Sequence, residues 1–221
     1  MSAADVAYES IKLKILSQDF RPGMQLKEVQ ISKELGLTRT PIREALIRLE
    51  RDGLVKIVYN RGAFVAMLSE NEIDDLFEVR EALEVKAAYL ATRRASRNDI
   101  DNVKKVLNER EMLVREGITI IDFRSHELDF HHGIIKLSKN ERLISIWQTL
   151  ETQLSLVRIT SAMFKERYLQ ALKEHKEILD SLFNADFGQV EKILISHITN
   201  AKENLLSYIA NEALRTASHK K

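Results

Sequence analysis

Three histidines and one glutamate carry the most distinctive chemistry in this sequence. Glu127 and His131 are spaced i, i+4, so on a helix their side chains can meet at one ion. His131 shares a helix side with Phe123, Phe130 and Ile134. His175 interrupts an apolar stripe of Leu172, Leu179 and Leu182, and His197 interrupts one of Val190, Leu194, Ala201 and Leu205. Arg80 falls on a further stripe of Ile73, Leu76, Phe77, Leu83, Ala87 and Leu90. A polar group left unpaired on a core face costs on the order of several kcal/mol. Polar groups on four separate stripes therefore point to one polar site inside a helical bundle, where bundles place ligands and metals. Three imidazoles and a carboxylate suit Zn, Ni, Mn or Fe with open positions. The competing reading makes each histidine a core residue hydrogen-bonded to a backbone carbonyl. Arg80 also has two readings: an ion pair with Glu84 at i+4, or a planar fork facing the cavity and binding a carboxylate, and one arginine could do both. His126, His132 and His219 are expected at the surface, and Trp147, Phe164 and Phe183 in the core.

A second constellation lies in Thr38-Arg39-Thr40-Pro41-Ile42-Arg43-Glu44. Arg39 and Arg43 are four residues apart and share a face, while Ile42, Ala45, Leu46 and Leu49 point the other way. Arginine in the first turn of a helix laid in the major groove can contact a guanine edge with two hydrogen bonds. Thr38, Thr40 and the free N–H groups of the helix start can hold phosphates. The plain alternative is a solvated face with ordinary Arg–Glu pairs, such as Arg43 with Glu44.

The elements that must position these residues are legible in the punctuation. Both prolines, Pro22 and Pro41, and four of the seven glycines fall in the first 62 residues, which marks a compact, many-turned front unit. A helix is predicted from about Asp5 to Ser17, a short one from Lys27 to Leu35 ended by Gly36, and a third from Thr38 or Thr40 to Gly53, capped by a threonine hydroxyl. Pro41 sits in its first turn, where a missing N–H costs little. Two β-like runs, Leu54–Tyr59 and Ala63–Leu68, flank the turn Asn60-Arg61-Gly62, so Arg61 and Gly62 form a wing tip. Two short helices joined by a tight turn, a recognition helix and a hairpin make a winged helix-turn-helix.

Ser69 and Glu72 form a capping box that opens a long helical region, with further helix starts near Ser96, Ile118, Asn140, Lys165 and Phe187. The expected fold is mainly α: a winged helix-turn-helix over residues 1–68, then an all-α bundle of about six or seven helices over 69–221. Residues 1–68 carry 11 Lys and Arg against 8 Asp and Glu, whereas the remainder is slightly acidic, so the front unit is the one suited to a polyanion. The chain has no cysteine, which excludes disulfides, thiolate metal sites and a cysteine nucleophile. With no apolar run long enough to span a bilayer and no leader-like segment, no membrane partner is expected and the cytoplasm is the expected location.

Leu37–Val55, Leu-Thr-Arg-Thr-Pro-Ile-Arg-Glu-Ala-Leu-Ile-Arg-Leu-Glu-Arg-Asp-Gly-Leu-Val, resembles the winged-helix signature of GntR-type bacterial regulators. Leu76-Phe77-Glu78-Val79-Arg80-Glu81-Ala82-Leu83-Glu84 resembles the opening of the FadR-type effector domain, called FCD. The resemblance implies a homodimeric transcription regulator, a repressor in the usual case, on a palindromic double-stranded DNA operator. It implies gating by a metabolite, commonly an organic acid, which favours Arg80 as an effector ligand. Phe130-His131, Glu174-His175 and Ser196-His197 sit where metal-binding FCD members place their three histidines, which implies a divalent metal, Zn or Ni first. The chain departs at the carboxylate, with Glu127 where members usually carry aspartate. It departs again at Val29, where some members have a DNA-contacting arginine, and that contact is not carried over. A metalloenzyme with a DNA-binding appendage is the alternative. It would need a positioned base or nucleophile beyond the ligands, and none stands out. A non-gated architectural DNA-binding protein would leave the buried Arg and His groups without a purpose.

Overall fold

The computed structural model describes residues 1–115, 130–161 and 165–218. The chain divides into two compact units, Met1–Ser69 with Thr152–Leu156 and Glu70–Glu151 with Val157–Lys221.

In the first unit, α1 (Ala3–Leu16), α2 (Glu28–Leu35) and α3 (Arg39–Arg51) pack beside a small sheet of β1 (Gln25–Leu26), β2 (Val55–Val58) and β3 (Gly62–Val65). The strands lie in the order β1-β3-β2, all antiparallel. Helix α1 starts earlier than the expected Asp5, because Ser2 and Asp5 cap each other reciprocally. Its buried residues are Ala7, Ile11 and Ile15, while Val6 faces out. Helix α2 ends where Gly36 takes a left-handed backbone, φ 64°, which turns the chain into α3. The threonine-hydroxyl cap expected for α3 is not formed: Thr38 is the N-cap residue, but its side chain makes no capping hydrogen bond. The apolar face of α3, Ile42, Ala45, Leu46 and Leu49, is fully buried and turns Arg39 and Arg43 outward.

In the second unit, α4 (Glu70–Arg94) and α5 (Arg97–Arg115) are followed by α6 (described over residues 130–137), α7 (Glu141–Ser161), α8 (Lys165–Phe183) and α9 (Phe187–Ser218). Helix α9 packs along α4 and α8, and α8 also packs on α5. Among the described residues no helix is long and apolar enough to cross a membrane. The helix start expected near Ile118 and the positions of Phe123, His126, Phe164 and His219 lie outside the described residues. Trp147 is fully buried, as expected, whereas Phe183 is half-buried beneath the cations of Arg97 and Lys104.

Two half-buried carboxylates make local ties, one within each unit. Asp5 is held at about 2, first by the Arg48 guanidinium and then by the Ser2 N–H and hydroxyl. Asp99 is held at about 2, first by Lys139 and then by Ser96, with which it forms the capping box of α5. A carboxyl depressed in the folded chain stabilises it above the unfolded value of 3.8 and loses that contribution as pH falls through about 2. Asp5→Asn and Asp99→Asn are therefore expected to melt modestly below wild type at neutral pH, with the gap vanishing toward pH 2. A thermal-unfolding series across pH checks this, and a gap that is constant with pH would overturn it.

Candidate functional sites

The helix α3 start presents Thr38, Arg39, Thr40 and Arg43, all exposed, at one end of the first unit. With Pro41 in the first turn, the N–H groups of Arg39 and Thr40 belong to the helix start, where anions bind. The hairpin brings Arg61 and Gly62 to an exposed tip, where Asn60 (φ 59°) and Gly62 (φ 93°) both adopt left-handed backbones. Gln25 Nε2 donates to the Arg61 carbonyl, 2.8 Å, so the tip is tied back to β1. That two-residue strand was not foreseen. Arg43 is not paired with its neighbour Glu44. Its Nε and one terminal nitrogen donate to the two carboxylate oxygens of Glu28 at the start of α2, 2.9 and 2.8 Å. Glu28 is held below the usual carboxylate range chiefly by this hydrogen-bonded fork, with the charge of Arg39 adding to it. Behind this face Arg48 stacks on Tyr8, and the Tyr8 hydroxyl donates to Asp52, 2.5 Å; burial and that bond raise the phenol well above its ordinary value.

The second unit brings together four of the residues singled out in its sequence. Arg80 comes from α4, His131 from α6, His175 from α8 and His197 from α9, each at most 2% exposed. One ring nitrogen from each histidine can be chosen so that all lie within 4.8 Å of one another. Nε2 of His197 is 3.2 Å from Nε2 of His131 and 3.3 Å from Nε2 of His175. Phe130 stacks flat on His175, ring centroids 3.7 Å apart, and fixes its plane.

Two glutamates that sequence reasoning did not assign to the site orient the rings. Glu84, fully buried, accepts from His131 Nδ1 at 2.5 Å and from Arg80 Nε at 2.7 Å. Glu174 accepts from His197 Nδ1 at 2.6 Å. With Nδ1–H committed to a carboxylate, each ring turns its Nε2 lone pair inward. The ion pair expected between Arg80 and Glu84 is present, and a terminal nitrogen of Arg80 also donates to His131 Nε2 at 2.8 Å. These carboxylate partners of His131 and His197 differ from the backbone carbonyls that the purely structural reading required.

Two of the three nitrogen pairs in the donor set suit a shared metal ion, which would take the His131 Nε2 lone pair that Arg80 now holds. Nitrogens 3.2–3.3 Å apart subtend about 100° at an ion bonded at ~2.1 Å, an ordinary ligand angle. Two carboxylates, Glu84 and Glu174, against the one guanidinium of Arg80 make the surroundings of the imidazoles net negative, which favours a cation. Glu127 lies outside the described residues. His132 is not the surface residue expected: it is half-buried and shares Glu151 with the indole N–H of Trp147.

Comparison with known proteins gives a consistent result. The family model of the FCD domain matches residues 75–200, and that of the bacterial regulatory proteins of the gntR family matches residues 3–65. The Nta operon transcriptional regulator of Aminobacter aminovorans is 29% identical over 195 residues, 88% of this chain and 90% of its own. A GntR transcriptional regulator from Rhodococcus sp. RHA1 superposes with a TM-score of 0.78 at 21% identity, over 94% of this chain and 99% of that one. A metal-free FCD domain of another transcriptional regulator gives a TM-score of 0.54 at 23% identity, over 66% of this chain and 99% of that domain.

Proposed function

Because the chain belongs to the gntR family of bacterial regulatory proteins and carries an FCD domain, we propose that it is a metabolite-gated transcription regulator whose effector binds at a metal-containing cavity. It is a transcription regulator and not an enzyme. The finer reading concerns what the helical unit senses. The convergence of three inward Nε2 atoms beside a buried guanidinium carries it. His131, His175 and His197 would hold a divalent ion such as Zn or Ni, with Glu127 as a further ligand. The ion would supply a Lewis-acidic anchor for an anionic effector. Arg80, anchored through Nε to Glu84, would offer a carboxylate the terminal N–H groups that it does not spend on His131, and a small organic acid matches that pair of cations. In the first unit Thr38, Arg39, Thr40, Arg43, Arg61 and Gly62 form the DNA face, and a homodimer would place two such faces on a palindromic operator. Effector binding would change operator affinity by a coupling of about 1–3 kcal/mol.

The decisive measurement is the metal content of the purified protein beside that of a His131→Ala, His175→Ala double variant. Near-stoichiometric metal in the wild type and its loss in the variant are expected. A wild type that neither contains nor takes up divalent metal would overturn the metal reading and leave an organic pocket lined by Arg80.

A further inference from the structure

The Arg43–Glu28 pair joins two helices at the face assigned to DNA, and the way it is joined restricts what Arg43 can do. A guanidinium has five N–H bonds. The side edge, formed by Nε–H and one N–H of a terminal nitrogen, is taken by the two oxygens of Glu28 at 2.9 and 2.8 Å. The end edge, formed by one N–H from each terminal nitrogen, is a second parallel pair and stays available. The Arg43 side chain is 63% exposed against 29% for Glu28, so the guanidinium is the more solvent-accessible partner of the pair.

Two consequences follow from elementary electrostatics. A guanidinium already neutralised by a carboxylate gains little from approaching a phosphate, whose attraction is mainly to net charge. Its contact to guanine O6 and N7 is a matter of paired, directed hydrogen bonds, and fixing the side edge orients the end edge for that contact at no further ordering cost. We propose that Glu28 is a specificity-determining, positioning residue. It holds Arg43 for end-on reading of a guanine and suppresses its use as a phosphate clamp. This rests on the reading of the α3 start as the DNA face, and it adds a residue on α2 that touches no base itself.

The test uses the full chain in four forms: wild type, Glu28→Gln, Glu28→Asp and Arg43→Ala. Each selects sites from a random-sequence duplex pool, and each is titrated with a mixed-sequence duplex over a salt series. Wild type is expected to enrich a site containing a guanine whose preference disappears in Arg43→Ala. Glu28→Gln is expected to lose about tenfold of that guanine preference and to bind mixed-sequence DNA several-fold tighter. Its plot of log K against log salt is expected to steepen by about 0.9, one additional phosphate contact. Glu28→Asp, which keeps the charge, is expected to retain most of the preference. A purely structural pair predicts the opposite sign, with Glu28→Gln weakening both kinds of binding together and lowering the unfolding midpoint; that result overturns the proposal. So does a Glu28→Gln protein that enriches the same guanine as strongly as wild type. If wild type enriches no site, or Arg43→Ala keeps the same one, the base-reading role of Arg43 falls and the proposal with it.

Discussion

Replacing Glu84 by alanine is expected to lower the unfolding midpoint of the helical unit by about 10 °C. Glu84 is 0% exposed and Arg80 1%, and the carboxylate accepts from both Arg80 Nε and His131 Nδ1. Truncation leaves a guanidinium buried without its anion and an imidazole N–H without its acceptor. Breaking one side of a buried ion pair costs about 3–5 kcal/mol, because the surviving charge still carries its desolvation cost. In a unit of this size each kcal/mol shifts the midpoint by about 2–4 °C. The sign depends on breaking the pair rather than on losing it. An Arg80→Met, Glu84→Leu double variant removes both charges at similar volume, still strands the His131 Nδ1–H, and is expected to melt above the single variant and somewhat below wild type. Thermal unfolding followed by circular dichroism separates the two. A single variant as stable as the double would show that Glu84 does not hold a charge in the core.

Glu174→Ala is expected to weaken divalent-metal binding by about 10–100-fold while leaving the metal-free midpoint little changed. The Glu174 carboxylate accepts from His197 Nδ1 at 2.6 Å and is itself 15% exposed, so its removal lets water solvate the ring N–H instead of stranding it. What is lost is the fixed tautomer and the basicity that a carboxylate lends to the inward Nε2. Competition with a chromophoric chelator reads the affinity directly. Lys173→Ala is the control, because Lys173 is 80% exposed and pairs with Glu177 on the same helix. Equal affinities for Glu174→Ala and Lys173→Ala would mean that the carboxylate does not orient the ligand.

The sequence alone carried the histidines, because an imidazole in a leucine stripe is out of place whatever the tertiary structure. Arg80 and its i+4 partner were legible for the same reason. The double use of Glu84 was not, since its second contact is to His131, which reaches it from α6. Glu174 was illegible in principle: it precedes His175 by one residue, off the apolar stripe, and its bond goes to His197 on α9. The plain alternative offered Arg43 its sequence neighbour Glu44, whereas its partner is Glu28, which only the crossing of α2 and α3 brings near. Strand β1 has two residues, too few for any periodicity, and is defined by its pairing with β3. In each miss the deciding contact spans helices or strands that local pattern cannot bring together.

The dispersion of the four cavity residues over α4, α6, α8 and α9 also sets an order of events during synthesis. The winged-helix elements are complete in the nascent chain once β3 has been made, whereas the last histidine of the buried cluster is residue 197. At about 5–20 residues per second that gap lasts several seconds or more. Every newly made copy thus passes through an interval in which its winged-helix elements exist and its buried histidine cluster does not.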